Sequence, residues 1–266
     1  MKESVLLIGC GAIGLEVTKR LADDPQVRIS QILVRPGKEE AVSGDIGSGV
    51  RIVSSIEDLD PMPDFVMECA SHQAVAEFGP YFLEQGIDFG VISIGSLSDP
   101  DLLARLEAAS RKGNSQLFIV PGAIGGMDAL AAARIDGLEE VIYTSRKPPL
   151  SWSGTPAEKE FDLANLTEPT ILYQGSARQA AKLYPKNANV AATIALAGLG
   201  FEDTQVTLIA DPNAQGNIHH VEARGSFGEM NVTIVGNPLP SNPKSSTLTA
   251  YSAVRAVKNR AQHVCM

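Results

Sequence analysis

The sequence predicts an α/β protein: a doubly wound parallel sheet joined to a second, mixed α+β domain. Three observations carry this. Strand and helix patterns alternate over residues 1–121, as in a parallel sheet covered by helices on both faces. A glycine-rich turn links the first strand to the first helix. After Pro121-Gly122-Ala123-Ile124-Gly125-Gly126 the alternation stops, and helices followed by a run of strands take over. The expected boundaries are 1–121 for the first domain and 122–242 for the second. Segment 243–266 is expected to return as a helix packed on the first domain.

The elements follow in order. Residues 5–8 (VLLI) are a short apolar run and read as a buried strand. Ile13, Val17 and Leu21 recur every four residues and mark one apolar helix face. Residues 27–34 and 50–53 are the second and third strands. Ser54 with Glu57 three residues on predicts a capping box for a short helix. Residues 65–69 form the next strand. Ser71 caps a helix that runs to about residue 85, where Gly86 stops it. Residues 87–94 read as another strand. Asp99 before Pro100 places a cap and a first-turn proline where each is favoured, and that helix ends near Gly113. Residues 117–120 close the series.

The second half predicts a helix over 127–135, a strand over 141–145 and a polar, proline-bearing stretch over 146–169. Helices at 176–184 and 189–197 come next, then strands at 205–210, 218–224 and 230–235. Period-2 alternation is clearest in the middle strand, where His219 shares a face with Val221 and Ala223. A proline-rich connection, 237–243, precedes the last helix at 246–261.

Composition narrows the function classes. The 266 residues are 44% hydrophobic and 20% charged, which suits a globular chain able to bury a core. The net charge is −9 and no Lys/Arg-rich run occurs, so nucleic acid is not an expected partner. The same field repels small anions, so an anion site here must gather cations and backbone N–H groups locally. The three cysteines match no metal spacing, no metal is expected, and reduced thiols are the natural reading. No apolar stretch is long enough to span a membrane, and no signal-peptide pattern is visible, so a cytoplasmic location is expected.

Gly9-Cys10-Gly11-Ala12-Ile13-Gly14 fits G-x-G-x-x-G, and it leaves a strand to open a helix. In this Rossmann context the first glycine allows a tight turn. The second lets the backbone approach a pyrophosphate, and the third permits close helix–strand packing. The helix start, with the N–H groups of Ala12 and Ile13, offers donors and partial positive charge to the phosphates. The acid that usually holds the ribose 2′-hydroxyl is missing. The second strand ends instead in Arg35-Pro36-Gly37-Lys38, and an arginine there can accommodate a 2′-phosphate. Both NAD and NADP are therefore expected cofactors.

Several separated segments add a resemblance. They are residues 123–130 (AIGGMDAL), 145–149 (SRKPP), 185–192 (PKNANVAA), 217–219 (NIH) and 242–246 (NPKSS). Together with the glycine motif, and in this order along nearly the whole chain, they resemble the L-aspartate dehydrogenase family. The resemblance implies NAD(P)-dependent interconversion of L-aspartate with oxaloacetate and ammonia through an imine that can feed pyridine-nucleotide synthesis. It also implies a homodimer. The family's catalytic histidine falls on His219, and further cofactor contacts fall on Ala123 and Asn189. On this reading His219 lies across a crevice from the nicotinamide. Two substrate carboxylates then need cations or donors, for which Lys147, Arg146, Lys244 and the neutral Asn187 are candidates on polar segments. Two alternatives stand beside this reading: an imine reductase resembling dihydrodipicolinate reductase, and an NAD(P)H-binding sensor without turnover.

Overall fold

A computed structural model describes residues 2–47 and 49–265; for Lys186, Pro243 and Lys244 it describes the backbone alone. Six strands form one sheet: β1 (Glu3–Ile8), β2 (Val27–Leu33), β3 (Arg51–Val53), β4 (Phe65–Glu68), β5 (Asp88–Val91) and β6 (Leu117–Ile119). All pair in parallel, in the order β3-β2-β1-β4-β5-β6. The order reverses between β1 and β4, and ligands of such sheets bind beyond the strand ends at that switch point. The crossovers carry α1 (Ala12–Leu21), α2 (Glu39–Ser43), α3 (His72–Glu84) and α4 (Pro100–Gly113). Ser71 caps α3 by accepting from the Ala74 N–H, and Asp99 caps α4 by accepting from Asp101 and Leu102.

Two local expectations for this half are corrected. The short helix after β3 is a 3-10 turn, Ile56–Asp58, and Ser55 caps it rather than Ser54; the Ser54 hydroxyl serves the Glu39 carboxylate instead. The predicted strand 87–94 ends at Val91, and Ile94–Ser98 coils into a 3-10 helix. Ile92, Ile94 and Leu97 are all buried, so their apolar run reports burial and not strand geometry.

The chain leaves this first unit at Val120 and rejoins it at Thr249; Pro121–Leu248 forms a second unit. That unit holds α5 (Met127–Ala133), β7 (Leu138–Lys147), α6 (Ala157–Glu160), β8 (Thr170–Ser176), α7 (Ala177–Leu183), α8 (Asn189–Ala197), α9 (Gly200–Asp203), β9 (Gln205–Ala210), β10 (Asn217–Gly225) and β11 (Gly228–Gly236). Five of these strands make a mixed sheet in the order β11-β10-β7-β9-β8, with β7 and β9 parallel and the other pairs antiparallel. β7 extends the predicted 141–145 strand at both ends, and α5 gives way to a 3-10 turn at Arg134. β8 has no counterpart in the sequence reading. The connection 237–243 is also more ordered than expected: β12 (Pro238–Leu239) and β13 (Asn242–Ser246) pair as a short hairpin.

The last helix, α10 (Thr247–Ala261), starts at Thr247 and not at residue 243. Within the first unit its Ala253 and Val257 are wholly buried in the core with Val5, Leu7, Val17 and Phe65. Burying a valine side chain contributes about 1.5–3 kcal/mol. Lys258 pairs with Asp24 at 3.1 Å and Arg260 with Asp88 at 2.8 Å, which fixes the helix along that core. No described helix is long and apolar enough to cross a membrane.

Candidate active site

In the first unit the glycine loop leaves β1 at the switch point. Gly9 has φ +88, and a Cβ there would stand 2.6 Å from the Ala70 Cβ, just beyond β4. A Cβ on Gly14 would stand 2.5 Å from the Gly9 carbonyl oxygen. Both glycines are therefore required by close packing. Gly11 differs: no described atom lies within 4 Å of where its Cβ would be. It is the helix-capping residue of α1, it supplies no side-chain cap, and no acid stands in the first turn. The N–H groups of Ala12 and Ile13 thus begin a ten-residue helix whose positive end is left open. This arrangement fits a pyrophosphate.

One contributor here was missed from the sequence. Glu68, at the end of β4, is fully buried. Its carboxylate accepts from the N–H groups of Ala70 (2.7 Å), Ser71 (2.8 Å), Ile92 (3.3 Å) and Ser93 (3.0 Å), and from the Ser93 hydroxyl (2.8 Å). Burial pushes its pKa up, and these donors oppose the rise. The residue ties together the loops after β4 and β5, including Ala70 against which Gly9 packs. Arg35, beyond the end of β2, is exposed. Among the described residues its guanidinium has no ion-pair or hydrogen-bond partner.

The second unit gathers its polar groups on one sheet face. Along β7, Tyr143, Ser145 and Lys147 alternate toward the same side, and Tyr143 and Ser145 are buried. β10 adds His219, which pairs directly with Ser145 in the antiparallel register. His219 is 3% exposed, more deeply buried than alternation alone requires. Its Nδ1 lies 2.7 Å from the Tyr143 hydroxyl. Burial first, and then the positive charge of Lys147, hold its pKa down to about 3, so the ring is neutral at pH 7. His220 points to the opposite face, where Thr233 Oγ1 (2.7 Å) and Glu222 Oε1 (3.1 Å) engage it.

Lys147 donates to Asn187 Oδ1 at 2.7 Å, and its ammonium lies 5.2 Å from the centre of the Trp152 ring. Desolvation brings its pKa down to about 8. The structure thus brings two of the four carboxylate-binding candidates together. Arg146 is committed elsewhere, paired with Asp211 at 3.0 Å on the other face of β7. Lys244 lies outside the described residues, as far as its side chain is concerned. Asn189 opens α8 directly after Ala188, and Ala123 is buried in the turn before α5. Tyr143 and Trp152 were not singled out in the sequence. Period-2 spacing from Val141 could have found Tyr143, whereas the contact of Trp152 with Lys147 has no local signal.

An open helix start at the switch point of a Rossmann sheet, in a chain whose other unit carries a neutral imidazole and a cation on one face, defines a pyridine-nucleotide-dependent oxidoreductase. Comparison with known proteins narrows the class. The family model for the C-terminal part of aspartate dehydrogenase matches residues 128–260, and the model for the NAD-binding domain of homoserine dehydrogenase matches residues 9–120. The L-aspartate dehydrogenase of Cupriavidus necator is 51% identical over 264 residues, which is 98% of each chain. The crystal structure of aspartate dehydrogenase from Thermotoga maritima is 30% identical and superposes with a TM-score of 0.78 over the whole of both chains. A hyperthermophilic archaeal homoserine dehydrogenase solved with NADPH shares the fold at 12% identity and a TM-score of 0.62. The chain belongs to the L-aspartate dehydrogenase family.

Proposed function

We propose that this chain is an NAD(P)-dependent L-aspartate dehydrogenase. L-Aspartate and NAD(P)⁺ give iminoaspartate, NAD(P)H and a proton; water then converts the imine to oxaloacetate and ammonia. The observation that carries this reading is the shared face of β7 and β10, where neutral His219 stands with Lys147 and Asn187. A bound nicotinamide would supply the acceptor for the hydride of the substrate Cα, and its reduced form the donor in the reverse direction. Gly9, Gly11 and Gly14, with the N–H groups of Ala12 and Ile13, would hold its pyrophosphate, and Ala123 and Asn189 would add further contacts to it.

Lys147 and Asn187 receive a substrate carboxylate. A second consequence follows from charge. Lys147 is one of the two causes that depress the basicity of His219, and a carboxylate bound at Lys147 offsets that cause. His219 is therefore a poor base in the empty site and a better one when substrate is present. It takes a proton from the water that adds to the imine carbon, then gives one to the departing amine. In the amination direction the same nitrogen delivers a proton to the leaving hydroxyl.

Both NAD and NADP are accepted, because Arg35 stands where an acid would exclude a 2′-phosphate. The chain acts in the cytoplasm as a homodimer, which sedimentation at micromolar concentration tests. The reaction is tested by following NAD(P)H consumption with ammonia and a panel of 2-oxo acids. Oxaloacetate should be the preferred substrate. No turnover with oxaloacetate by a protein that binds NADH would contradict the proposal.

A further inference from the structure

The contact between Tyr143 and His219 specifies more than packing. Both side chains are buried, and the hydroxyl-to-Nδ1 distance is 2.7 Å with the two rings inclined by only 17°. The hydrogen bond made by one ring nitrogen decides which form the other takes. Two arrangements satisfy this distance. In one, the phenol donates to Nδ1, and Nε2 carries the ring proton. In the other, Nδ1–H donates to the phenol oxygen, and Nε2 is left with a lone pair.

A second hydroxyl joins this pair. Ser145 stands two residues beyond Tyr143 on β7 and directly opposite His219. Its Oγ is buried. Directly opposed residues bring their Cβ atoms to about 4.5–5.5 Å, so this hydroxyl belongs to the same patch. It is near enough that it alone opposes the rise that burial imposes on the Tyr143 phenol. A phenol that accepts from Nδ1 must place its own proton elsewhere, and Ser145 Oγ has lone pairs to receive it. A phenol that donates to Nδ1 can instead accept from the Ser145 hydroxyl, so both arrangements satisfy Ser145. The work of His219 separates them: a base that takes a proton from water needs the Nε2 lone pair, which is left only where Nδ1–H donates to the phenol.

We propose that Tyr143 is a positioning residue for His219: its oxygen accepts the Nδ1–H, its proton turns toward Ser145, and an unprotonated Nε2 faces the reacting water. This rests on His219 being the proton-handling group. The neutral character of the phenol matters. A carboxylate at this place would stabilise the imidazolium, whereas a phenol orients the ring and leaves it neutral beside Lys147.

The test uses the full chain labelled with ¹⁵N at histidine. There are four histidines, and His219→Asn identifies the signal of interest. The wild type should show His219 protonated at Nδ1. Tyr143→Phe keeps the ring and removes the oxygen; it should move the signal toward the Nε2-protonated form. It should also lower kcat by about tenfold or more, within the roughly 10²–10⁴-fold that proton transfer supplies, while KM for oxaloacetate and Kd for NADH change little. An Nε2-protonated His219 in the wild type overturns the proposal, and this holds even if the variant does not fold. An unchanged tautomer with unchanged kcat in Tyr143→Phe overturns it equally. Wild-type turnover in His219→Ala would instead overturn the role of His219 itself, so the two failures are distinguishable.

Discussion

Replacing Lys147 by Met removes the cation from the shared face of β7 and β10 while keeping most of the side-chain length. A hydrogen bond to a charged group contributes about 1.5–3 kcal/mol, which is roughly 10- to 150-fold in affinity. The suitable ligand is succinate, a four-carbon dicarboxylate with no carbonyl to react, so the titration of ammonia does not enter. Its inhibition constant against oxaloacetate should rise by that factor in Lys147→Met. The pH dependence gives a sharper signature. Burial lowers the Lys147 pKa to about 8, so the cation is present below that pH and lost above it. The inhibition constant of the wild type should be flat up to about pH 8 and then climb by roughly tenfold per pH unit. Lys147→Arg stays cationic throughout this range and should abolish the break. A Lys147→Met variant with the wild-type inhibition constant and the same break near pH 8 would refute the assignment.

The nucleotide loop makes two contrasting predictions. Gly14→Ala drives a Cβ to within 2.5 Å of the Gly9 carbonyl oxygen, and should destabilise the protein by about 1–3 kcal/mol, read as a lower Tm. Gly11→Ala meets no described atom and should leave Tm nearly unchanged while weakening NADH binding by about tenfold or more, since the methyl occupies the approach of the pyrophosphate; a wild-type Kd would remove this loop from the site. Arg35→Asp should weaken NADP more than NAD in direct titration, and equal losses would show that Arg35 does not read the 2′-phosphate.

Much of the architecture was legible because local patterns and tertiary environment agree. The strand, glycine motif and helix around Gly9 specify one another within about twenty residues, and the Asp99–Pro100 cap is a purely local device. The face of His219 followed from alternation with Val221 and Ala223. The failures have physical causes. β8 carries a register shift between Ile171 and Tyr173, and Ile171 is 54% exposed, so its period-2 pattern is broken. The hairpin of β12 and β13 is too short and too rich in proline to show a strand period. The apolar run after β5 is buried on all sides, which removes the contrast that separates a strand from a helical turn. At the site, Lys147 and Asn187 meet across forty residues, and Arg146 is drawn away by Asp211. Neither pairing has a sequence signal, because each depends on how β7, β9 and the segment before α8 come together.

Replacing His219 by Ala asks whether this ring moves the protons of imine hydrolysis and formation. Turnover of oxaloacetate with ammonia and NADH, measured on the folded fraction, should fall by roughly 10²–10⁴-fold. Kd for NADH should stay close to wild type, because the glycine loop is untouched. His220→Ala, on the opposite face, should cost far less. A His219→Ala protein with a lowered Tm but near wild-type turnover would show that the ring only fills space in the sheet and takes no part in proton transfer.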